Sequence, residues 1–348
     1  MRTIALVGCG RIADRHLQVI AMIPDLRLVG VCDRQEDRAR DAAARSGVPA
    51  FHDALEMVTA LNPDLVSILT DSGLHAQLGC LLAPHVPALV VEKPMALTLD
   101  DADRLIETCA AHGTKLFVVK QNRFNPPIAA LKRAVDEGRF GRMVLGTVRI
   151  RWARTQAYYD QDPWRGTWKQ DGGVLTNQAS HHIDLLQWLM GPVDSVKAYV
   201  STRLANIEVE DTGVAVMKFK SGALGVVEAT TATRPVDLEG SISLLGEKGS
   251  VVIGGFSVNR PVTWNFVEPR PEDDRIHELI THPPDVYGFG HQAYYEHVLA
   301  SLDSGTNSML AGLEGRKSLE IINALYESAF LGREVHLHYV PASIPLGR

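Results

Sequence analysis

Residues 3–16 read TIALVGCGRIADRH, an apolar strand-like run that meets two glycines and then a helical pattern. Gly8, Gly10 and Ala13 form a GxGxxA pattern at this strand-to-helix junction. Small residues there permit a tight turn, close approach of the backbone to a pyrophosphate, and close packing of the helix on the strand. A tight turn without a ligand is the alternative, but the junction favours a dinucleotide site because free N–H groups at a helix start bind phosphate. The predicted contacts are Gly8, Gly10, Arg11 and Ile12.

The alternation of strand-like and helical segments continues to about residue 121. The later strand-like runs are LRLVGVCD, DLVSILT, ALVVEKP and KLFVVKQ, and helical patterns near residues 35–46 and after Thr98 lie between them. This βαβ rhythm is typical of a doubly wound parallel sheet. We therefore expect a dinucleotide-binding Rossmann domain over residues 1–122.

Beyond Pro126 and Pro127 the pattern changes to short alternating strands, with turn signals at Ser221-Gly222 and 247–249. The strand-like runs are LGTVRIRW, VKAYVSTRL, TGVAVMKFK, GALGVVEATTA, GSISLLG and SVVIGG. Such alternation is typical of an antiparallel sheet. Helices are expected near residues 178–190 and 312–330, and a long loop over residues 268–288. The predicted fold class is α/β, with an N-terminal Rossmann domain and, over residues 123–348, a C-terminal α+β domain built on a large, mainly antiparallel sheet.

The composition restricts the class of protein. With 348 residues, of which 45% are hydrophobic and 22% charged, the chain is long enough for two domains. The net charge of -6 argues against a nucleic-acid or membrane partner. Without a signal peptide or a membrane-length apolar run, the chain is expected to be cytoplasmic. The four cysteines contain no CxxC pair, which favours core packing over a metal site or disulfides.

Polar residues follow the strand-like runs of the first domain, where ligands of an open parallel sheet bind. Asp33 is placed to hydrogen-bond both ribose hydroxyls of adenosine, and because an acid there repels a 2′-phosphate, NAD is favoured over NADP. Arg34 keeps NADP open, since a guanidinium can bind a phosphate. His75 fits helix capping as well as it fits a cofactor contact. The predicted cofactor contacts at this edge are Asp33, Arg34, Thr70, Ser72, His75, Glu92 and Lys93.

Three segments carry a resemblance to a known family. GCGRIADRH, the triplet Glu92-Lys93-Pro94 and GGVLTNQASHHIDLLQWLMG together resemble the glucose-fructose oxidoreductase, inositol dehydrogenase and rhizopine catabolism family over essentially the whole chain. The resemblance implies an NAD(P)-dependent sugar or polyol dehydrogenase. It also implies a second domain whose open sheet commonly forms dimers or tetramers, so a homo-oligomer is expected.

Five further strings are similar to one bacterial branch of this family. They are VVEKPMALTLDDAD, FVVKQNRFNPP, YYDQDPWRGTW, LTNQASHHIDLL and YGFGHQAYYEH. Members of this branch use NAD to oxidise the C3 hydroxyl of UDP-N-acetyl-D-glucosaminuronate, in the synthesis of diacetamido uronic acids for lipopolysaccharide O-antigen. The resemblance therefore implies a small-molecule sugar nucleotide as partner. Whether NADH is released, or is reoxidised in place by 2-oxoglutarate as hydride acceptor, stays open.

The same resemblance assigns the catalytic pair to Lys93 and to His181, three residues before Asp184. One position departs from the family pattern, because many polyol dehydrogenases have an aspartate four residues before the histidine, where this chain has Asn177. An amide cannot polarise His181 as a carboxylate does. Asn177 is therefore expected to hydrogen-bond the sugar, and Lys93 to carry more of the proton chemistry.

Oxidation of a secondary alcohol requires a base and a cation near the hydroxyl oxygen. Lys93 and His181 have this chemistry, because burial beside positive charge lowers a lysine pKa and histidine titrates near neutrality. We expect His181 to take the proton and Lys93 to bind the oxygen, with exchanged roles as one alternative. The other alternative is structural: a solvated Lys93 and a packed His181. The adjacent His182 points elsewhere on a helix and is expected to be structural, and no metal is expected.

A UDP-linked uronate carries phosphates and a carboxylate, which arginine binds well. Arg149 and Arg151 share a strand face and are expected to form a solvated or subunit-facing stripe. Arg123 and Arg165 lie in irregular segments and are the candidates for anion binding. Tyr158 is a candidate for stacking on uracil, with an interface role as the alternative. The predicted substrate contacts are Lys93, Arg123, Asn125, Tyr158, Arg165, Asn177 and His181, and the remaining predicted cofactor contacts are Gln121, Trp164 and Arg165.

Two other functions fit the same sequence. A dehydrogenase of the same family that acts on inositol or a free aldose would leave Arg123 and Arg165 without anionic partners. A non-catalytic NAD-binding scaffold would have no need of Lys93 and His181, whose presence disfavours it.

Overall fold

The computed structural model describes residues 1–282, 288–306, 308–337 and 346–347. The chain divides into a first unit of residues 1–120 with 291–316, and a second unit of residues 121–290 with 317–348. The boundary predicted between residues 122 and 123 stays a prediction; residues 291–316 contribute to the first unit. Positions 283–287 of the predicted loop, including Tyr287 of the string YGFGHQAYYEH, lie outside the described residues.

The first unit is built on a six-stranded sheet with the order β3-β2-β1-β4-β5-β6, in which all neighbouring strands are parallel. Its elements up to residue 120 are β1 (Arg2–Val7), α1 (Arg11–Met22), β2 (Leu26–Cys32), α2 (Glu36–Ser46), β3 (Ala50–Phe51), α3 (Ala54–Leu61), β4 (Leu65–Ile68), α4 (His75–Leu82), β5 (Ala88–Val91), α5 (Leu99–His112) and β6 (Lys115–Val118). The strand order reverses at β1 and β4, where ligands of such sheets bind. The predicted Rossmann architecture is confirmed.

Burial and capping explain why these segments fold as they do. β4 and β5 are buried throughout, which matches the continuous apolar sequence of β5 and a β4 sequence that is apolar except for Ser67. Helix α5 begins where predicted, because Thr98 Oγ1 accepts a hydrogen bond from the N–H of Asp101, and it ends at Gly113 in the left-handed conformation.

The second unit is built on an eight-stranded sheet with the order β13-β12-β11-β7-β10-β9-β8-β14. The elements from residue 121 onward are α6 (Pro126–Asp136), β7 (Met143–Arg151), α7 (Gln156–Tyr159), α8 (Ser180–Met190), β8 (Val193–Ser201), β9 (Thr212–Phe219), β10 (Leu224–Thr230), β11 (Glu239–Gly246), β12 (Gly249–Gly254), β13 (Arg260–Phe266), α9 (Gly290–Ser304), α10 (Gly312–Leu331) and β14 (Val335–His336). All pairs are antiparallel except β7 with β10. The large, mainly antiparallel sheet is confirmed. The elements that were not predicted are α6, α7, α9, β13 and β14, and Pro271–Leu279 forms a 3-10 helix inside the predicted loop.

The two faces of the second sheet differ. Helix α8 packs closely on β7, because a Cβ at Gly146 would lie 2.7 Å from Leu186. Along β9, side chains alternate between buried and exposed, with Val214 and Val216 on the exposed face. One face of the sheet therefore carries α8 and the other presents apolar side chains. Among the described residues, no helix has both the length and the apolarity to cross a bilayer.

Candidate active site

The glycine turn has the two properties that a dinucleotide site requires. Gly8 has a φ of 100°, and a Cβ there would lie 2.7 Å from the carbonyl carbon of Leu69, so the turn itself needs glycine. Gly10 is the N-cap residue of α1. In the described parts of the chain, no atom lies within 4 Å of a Cβ built on Gly10. Since the protein does not fill this space at the helix N-terminus, the residues present fit a bound pyrophosphate.

Asp33 lies beside the glycine turn. Its Oδ2 accepts a hydrogen bond from the N–H of Cys9 at 2.8 Å, and its Oδ1 accepts one from the N–H of Gln35, also at 2.8 Å. The carboxylate is thus fixed where the adenosine ribose of a dinucleotide lies in this fold. Arg34 is exposed and pairs with Asp71 at 3.3 Å.

His75 contacts the backbone of two loops of the first unit. It is buried, its Nδ1 lies 2.7 Å from the carbonyl oxygen of Pro94, and its Nε2 lies 3.0 Å from that of Thr70. Burial lowers the pKa of His75, so the neutral ring donates to one of these oxygens. These contacts favour a structural role over a cofactor contact. The neighbouring Ser72 begins a short 3-10 helix and Thr70 is half-buried.

Glu92 is turned toward the interior of the first unit. It is 6% exposed, its Oε2 accepts a hydrogen bond from the N–H of Lys93 at 2.9 Å, and its Oε1 lies 3.0 Å from Nε2 of His16. The direct cofactor contact predicted for Glu92 stays a prediction, and each of its carboxylate oxygens already has a protein partner. Lys93, the next residue, is half-buried.

The four cysteines are free thiols in the structure. Burial raises the pKa of Cys9, Cys32 and Cys109 to about 12 in each case. Thiols with such pKa values stay protonated near neutrality and are poor nucleophiles.

In the second unit, His181 lies at the start of α8. Its Nε2 is 3.3 Å from Nε2 of Gln121, whose amide therefore donates to the ring in this orientation. A ring nitrogen that accepts a hydrogen bond is unprotonated, which is the state that a general base needs. His182 differs: it is 1% exposed, it packs edge-on against Trp152, and burial lowers its pKa to about 4. These properties match the structural role predicted for His182.

Asn177 is held by a carboxylate that sequence reasoning missed. Its Nδ2 donates to Oδ1 of Asp171 at 2.5 Å, and Asp171 Oδ2 accepts from the N–H of Gly166 at 2.8 Å. Asp171 is 2% exposed. The sequence could have indicated Asp171, since it directly precedes the glycine pair 172–173, a few residues before α8.

Tyr158, Trp164 and Arg165 form one cluster. Arg165 Nη1 donates to the Tyr158 hydroxyl at 2.8 Å, and the guanidinium lies 4.7 Å from the ring centroids of both Tyr158 and Trp164. Its Nε donates to Asp162 at 3.2 Å. Three predicted ligand contacts are therefore adjacent, and they combine a cation with two aromatic faces.

Arg123 and Asn125 are engaged inside the second unit. Arg123 is 1% exposed, and its Nε and Nη2 donate to the two oxygens of Asp184, each at 2.8 Å. Asn125 is also buried, and its Nδ2 donates to the carbonyl oxygen of Ser257. The substrate contacts predicted for both residues stay predictions, and the donors named here already have partners inside the second unit.

The arginine stripe on β7 has the structural role that was predicted for it. Arg151 pairs with Glu228 at 2.6 Å and with Glu239 at 3.3 Å, and Arg149 lies 3.7 Å from both carboxylates. These pairs are partly exposed and contribute little to stability.

Comparison with known proteins agrees with this arrangement. Residues 2–120 match the model of an oxidoreductase family with an NAD-binding Rossmann fold, and residues 128–252 match the C-terminal domain of the GFO/IDH/MocA family. A solved structure of the WlbA dehydrogenase from Bordetella pertussis, in complex with NADH and UDP-GlcNAcA, is 42% identical, with coverage of 98% of each chain and a TM-score of 0.91.

Two further relatives widen the comparison. The WlbA dehydrogenase from Chromobacterium violaceum, also with NADH and UDP-GlcNAcA, is 43% identical, covers 97% of this chain and 96% of its own, and has a TM-score of 0.91. The myo-inositol 2-dehydrogenase of Thermotoga maritima is 28% identical over 91% of this chain and 96% of its own length. The chain therefore belongs to the GFO/IDH/MocA family of oxidoreductases, and it is an NAD-dependent dehydrogenase with a Rossmann domain.

Proposed function

We propose that the protein uses NAD to oxidise the C3 hydroxyl of UDP-N-acetyl-D-glucosaminuronate, giving the 3-keto sugar nucleotide. The observation that carries this proposal is the 42% and 43% identity, over nearly the whole chain, to two dehydrogenases crystallised with NADH and UDP-GlcNAcA. The proposed step serves the synthesis of diacetamido uronic acids for lipopolysaccharide O-antigen, in the cytoplasm.

The proposed cofactor contacts come from the first unit. Backbone N–H groups at Gly10, Arg11 and Ile12 would bind the pyrophosphate, and Asp33 would hydrogen-bond the adenosine ribose. The open space at Gly10 supports this assignment. Because Asp33 is held by two backbone N–H groups, its carboxylate is positioned to disfavour a 2′-phosphate.

We propose that His181 accepts the hydroxyl proton and that the ammonium of Lys93 donates a hydrogen bond to the same oxygen. NAD, when bound, supplies the acceptor for the hydride. The contact between Gln121 and Nε2 of His181 supports the first role, because with the amide in this orientation that nitrogen is the acceptor. A cation at the oxygen stabilises the negative charge that grows as the proton leaves.

Arg165, Tyr158 and Trp164 are the proposed contacts to the charged and aromatic parts of the ligands. A guanidinium flanked by aromatic rings suits phosphate or carboxylate together with a base. Asn177, held at Nδ2 by Asp171, is proposed to contact the sugar.

We also propose a homo-oligomer, formed through the exposed face of the second sheet. Tyr199, Val214, Val216 and Leu224 are 66%, 46%, 56% and 52% exposed and share one face of β8, β9 and β10. The strand register pairs Tyr199 with Val214, and Lys197, Lys218 and Glu228 lie on the same face. Exposed apolar side chains grouped on one sheet face are typical of a protein contact surface. Light scattering of the purified protein gives the mass that tests this.

The experiment that tests the function compares substrates. The protein is incubated with NAD and either UDP-N-acetyl-D-glucosaminuronate or myo-inositol, and NADH is followed by absorbance. Reduction with the sugar nucleotide alone supports the proposal, whereas reduction with inositol alone favours the polyol dehydrogenase that the 28% identical relative suggests. Parallel reactions with 2-oxoglutarate decide whether NADH leaves or is reoxidised in place.

The catalytic pair is tested by pH profiles of Lys93→Met and His181→Asn. Each variant is expected to lose turnover by about 100-fold or more, the usual size of a general acid–base contribution. Near-wild-type turnover in either variant removes that residue from the proposed mechanism.

A further inference from the structure

A buried polar cluster lies next to Lys93 in the first unit. It consists of Glu92, His16, His291 and Tyr295, and we call it the Glu92 cluster. Glu92 is 6% exposed, His291 1%, and His16 and Tyr295 0%. Helix α1 supplies His16, the end of β5 supplies Glu92, and α9 supplies His291 and Tyr295. None of the functional roles proposed above uses His16, His291 or Tyr295.

Polar contacts connect the members of the Glu92 cluster to one another and to the sheet. Oε1 of Glu92 lies 3.0 Å from Nε2 of His16 and 3.9 Å from Nε2 of His291. Nδ1 of His16 lies 2.6 Å from the Tyr295 hydroxyl, which lies 3.1 Å from Oγ of Ser67 on β4. Two helices are thereby joined to two neighbouring strands at the edge where the cofactor site lies.

The charge of Glu92 is maintained in spite of its burial. Burial alone raises its pKa, but the hydrogen bond from His16 and the electrostatic interactions with His16 and His291 hold the pKa of Glu92 well below its usual range. An ionised carboxylate is a strong hydrogen-bond acceptor. The group that it holds on its other oxygen is the backbone N–H of Lys93, at 2.9 Å.

We propose that Glu92 is a positioning residue for Lys93, and that His16 and Tyr295 hold the Glu92 carboxylate in the orientation that this requires. The inference rests on the proposed function, in which Lys93 contacts the reacting oxygen. The Glu92 carboxylate fixes the peptide from which the lysine side chain extends. Displacement of a reacting group by 1 Å can cost about 100-fold in rate, so a small shift of this peptide matters.

The test uses two variants of the Glu92 cluster and a matched control. His16→Gln removes the imidazole beside Glu92, and Tyr295→Phe removes one hydroxyl and keeps the ring; His112→Gln makes the same exchange as the first at an exposed position of the same unit. For each, kcat and KM for UDP-N-acetyl-D-glucosaminuronate are measured, and the Kd of NADH by fluorescence.

We expect kcat to fall at least about tenfold in His16→Gln and about threefold in Tyr295→Phe. KM and the Kd of NADH should stay within about twofold of wild type, since a loss of positioning affects the reaction more than binding. His112→Gln should match wild type. The inference is overturned if kcat is unchanged in folded His16→Gln and Tyr295→Phe, or if kcat falls only in proportion to a weaker Kd for NADH. If His16→Gln does not fold, the kcat of Tyr295→Phe alone tests the inference.

Lys93→Met separates this inference from the function on which it rests. Wild-type turnover in Lys93→Met would contradict both the catalytic role of Lys93 and the positioning role of Glu92. An inactive Lys93→Met beside fully active His16→Gln and Tyr295→Phe removes the positioning role alone. Metal analysis is a further check, because the donor atoms of His16, Glu92 and His291 lie within 4.8 Å of one another. Stoichiometric transition metal in the purified protein, lost in His16→Gln, would overturn the inference by making these residues ligands.

Discussion

Asp171 and Asn177 are joined by a hydrogen bond from Nδ2 of the amide to Oδ1 of the carboxylate, at 2.5 Å. The other oxygen of Asp171 accepts from the N–H of Gly166, the residue after Arg165. One buried carboxylate thus connects the segment that carries Arg165 with the segment that leads to His181. Position 177 holds an amide where many polyol dehydrogenases have an aspartate. The carboxylate of Asp171 is hydrogen-bonded to this amide.

Asp171→Asn should weaken both connections, because an amide at position 171 presents one acceptor where the carboxylate presents two. We expect kcat/KM for the sugar nucleotide to fall about tenfold, equivalent to about 1.4 kcal/mol in the transition state. The Kd of NADH should change less than twofold. Asp160→Asn, at an exposed position of the same unit, is the control. Unchanged kcat/KM in Asp171→Asn would show that the hydrogen bonds of Asp171 with Asn177 and Gly166 do not affect the reaction of the sugar nucleotide.

Gly8 and Gly10 should respond differently to the same substitution. Gly10→Ala fills open space in the protein alone, so its melting temperature should stay near that of wild type while NADH binds at least about tenfold more weakly. Gly8→Ala should destabilise the fold itself, because the left-handed φ and the backbone of Leu69 both oppose a Cβ. Thermal melts with and without NADH measure both effects. Equal NADH affinity in Gly10→Ala and wild type would contradict the assignment of the pyrophosphate site.

Arg165→Met should raise KM for the sugar nucleotide by about tenfold or more, because charged hydrogen bonds contribute about 1.5 to 3 kcal/mol. Arg203→Met, at an exposed position of the same unit, should leave KM unchanged. Steady-state kinetics on both variants check this. An unchanged KM in Arg165→Met would exclude Arg165 as the anion contact.

The sequence predicted most of the first unit, because its signals are local. The glycine turn, the apolar strands and the Thr98 cap each depend on residues close together in the chain. It predicted the six strands β7 to β12 for the same reason, since alternation and turn residues are visible in short windows. Helix α9 was missed, although it places His291 and Tyr295 around Glu92. Its sequence has low amphipathicity, because polar side chains such as His291 lie on its buried face.

The candidate site was harder to predict where a side chain has a distant partner. Arg123 was predicted to bind an anion, but its Nε and Nη2 donate to Asp184, 61 positions away. Glu92 was predicted to contact the cofactor. In the structure, its Oε1 lies near His16 and His291, which belong to distant segments of the chain. The partner of a guanidinium or a carboxylate cannot be predicted from sequence spacing when it lies far away in the chain. The structure was needed to identify these partners.

Glu210 should make the stability of the protein depend on pH. Burial raises its pKa to about 7, in spite of hydrogen bonds from the N–H of Leu175 and from the Tyr326 hydroxyl. Because the folded state binds this proton more tightly than the unfolded state, stability is greatest below about pH 4.5 and is lost as the pH rises through 7. We expect Glu210→Gln to gain stability relative to wild type between pH 5 and 8, by at most about 3 kcal/mol.

Chemical denaturation at pH 5 and at pH 8 measures the difference between Glu210→Gln and wild type. Glu268→Gln, at an exposed position of the same unit, is the control and should show the same difference at both pH values. A difference for Glu210→Gln that does not grow with pH would show that the buried carboxyl does not titrate in this range.

The proposed reaction is the oxidation, with NAD, of C3 in a UDP-linked N-acetylated glucuronate. The most direct measurement is the mass of the sugar nucleotide after incubation with the purified protein and NAD, with 2-oxoglutarate present so that trapped NADH can turn over. We expect a product lighter by two hydrogens, with the ketone at C3, and no such product from Lys93→Met. A sugar nucleotide of unchanged mass, from protein that binds NADH tightly, would contradict it.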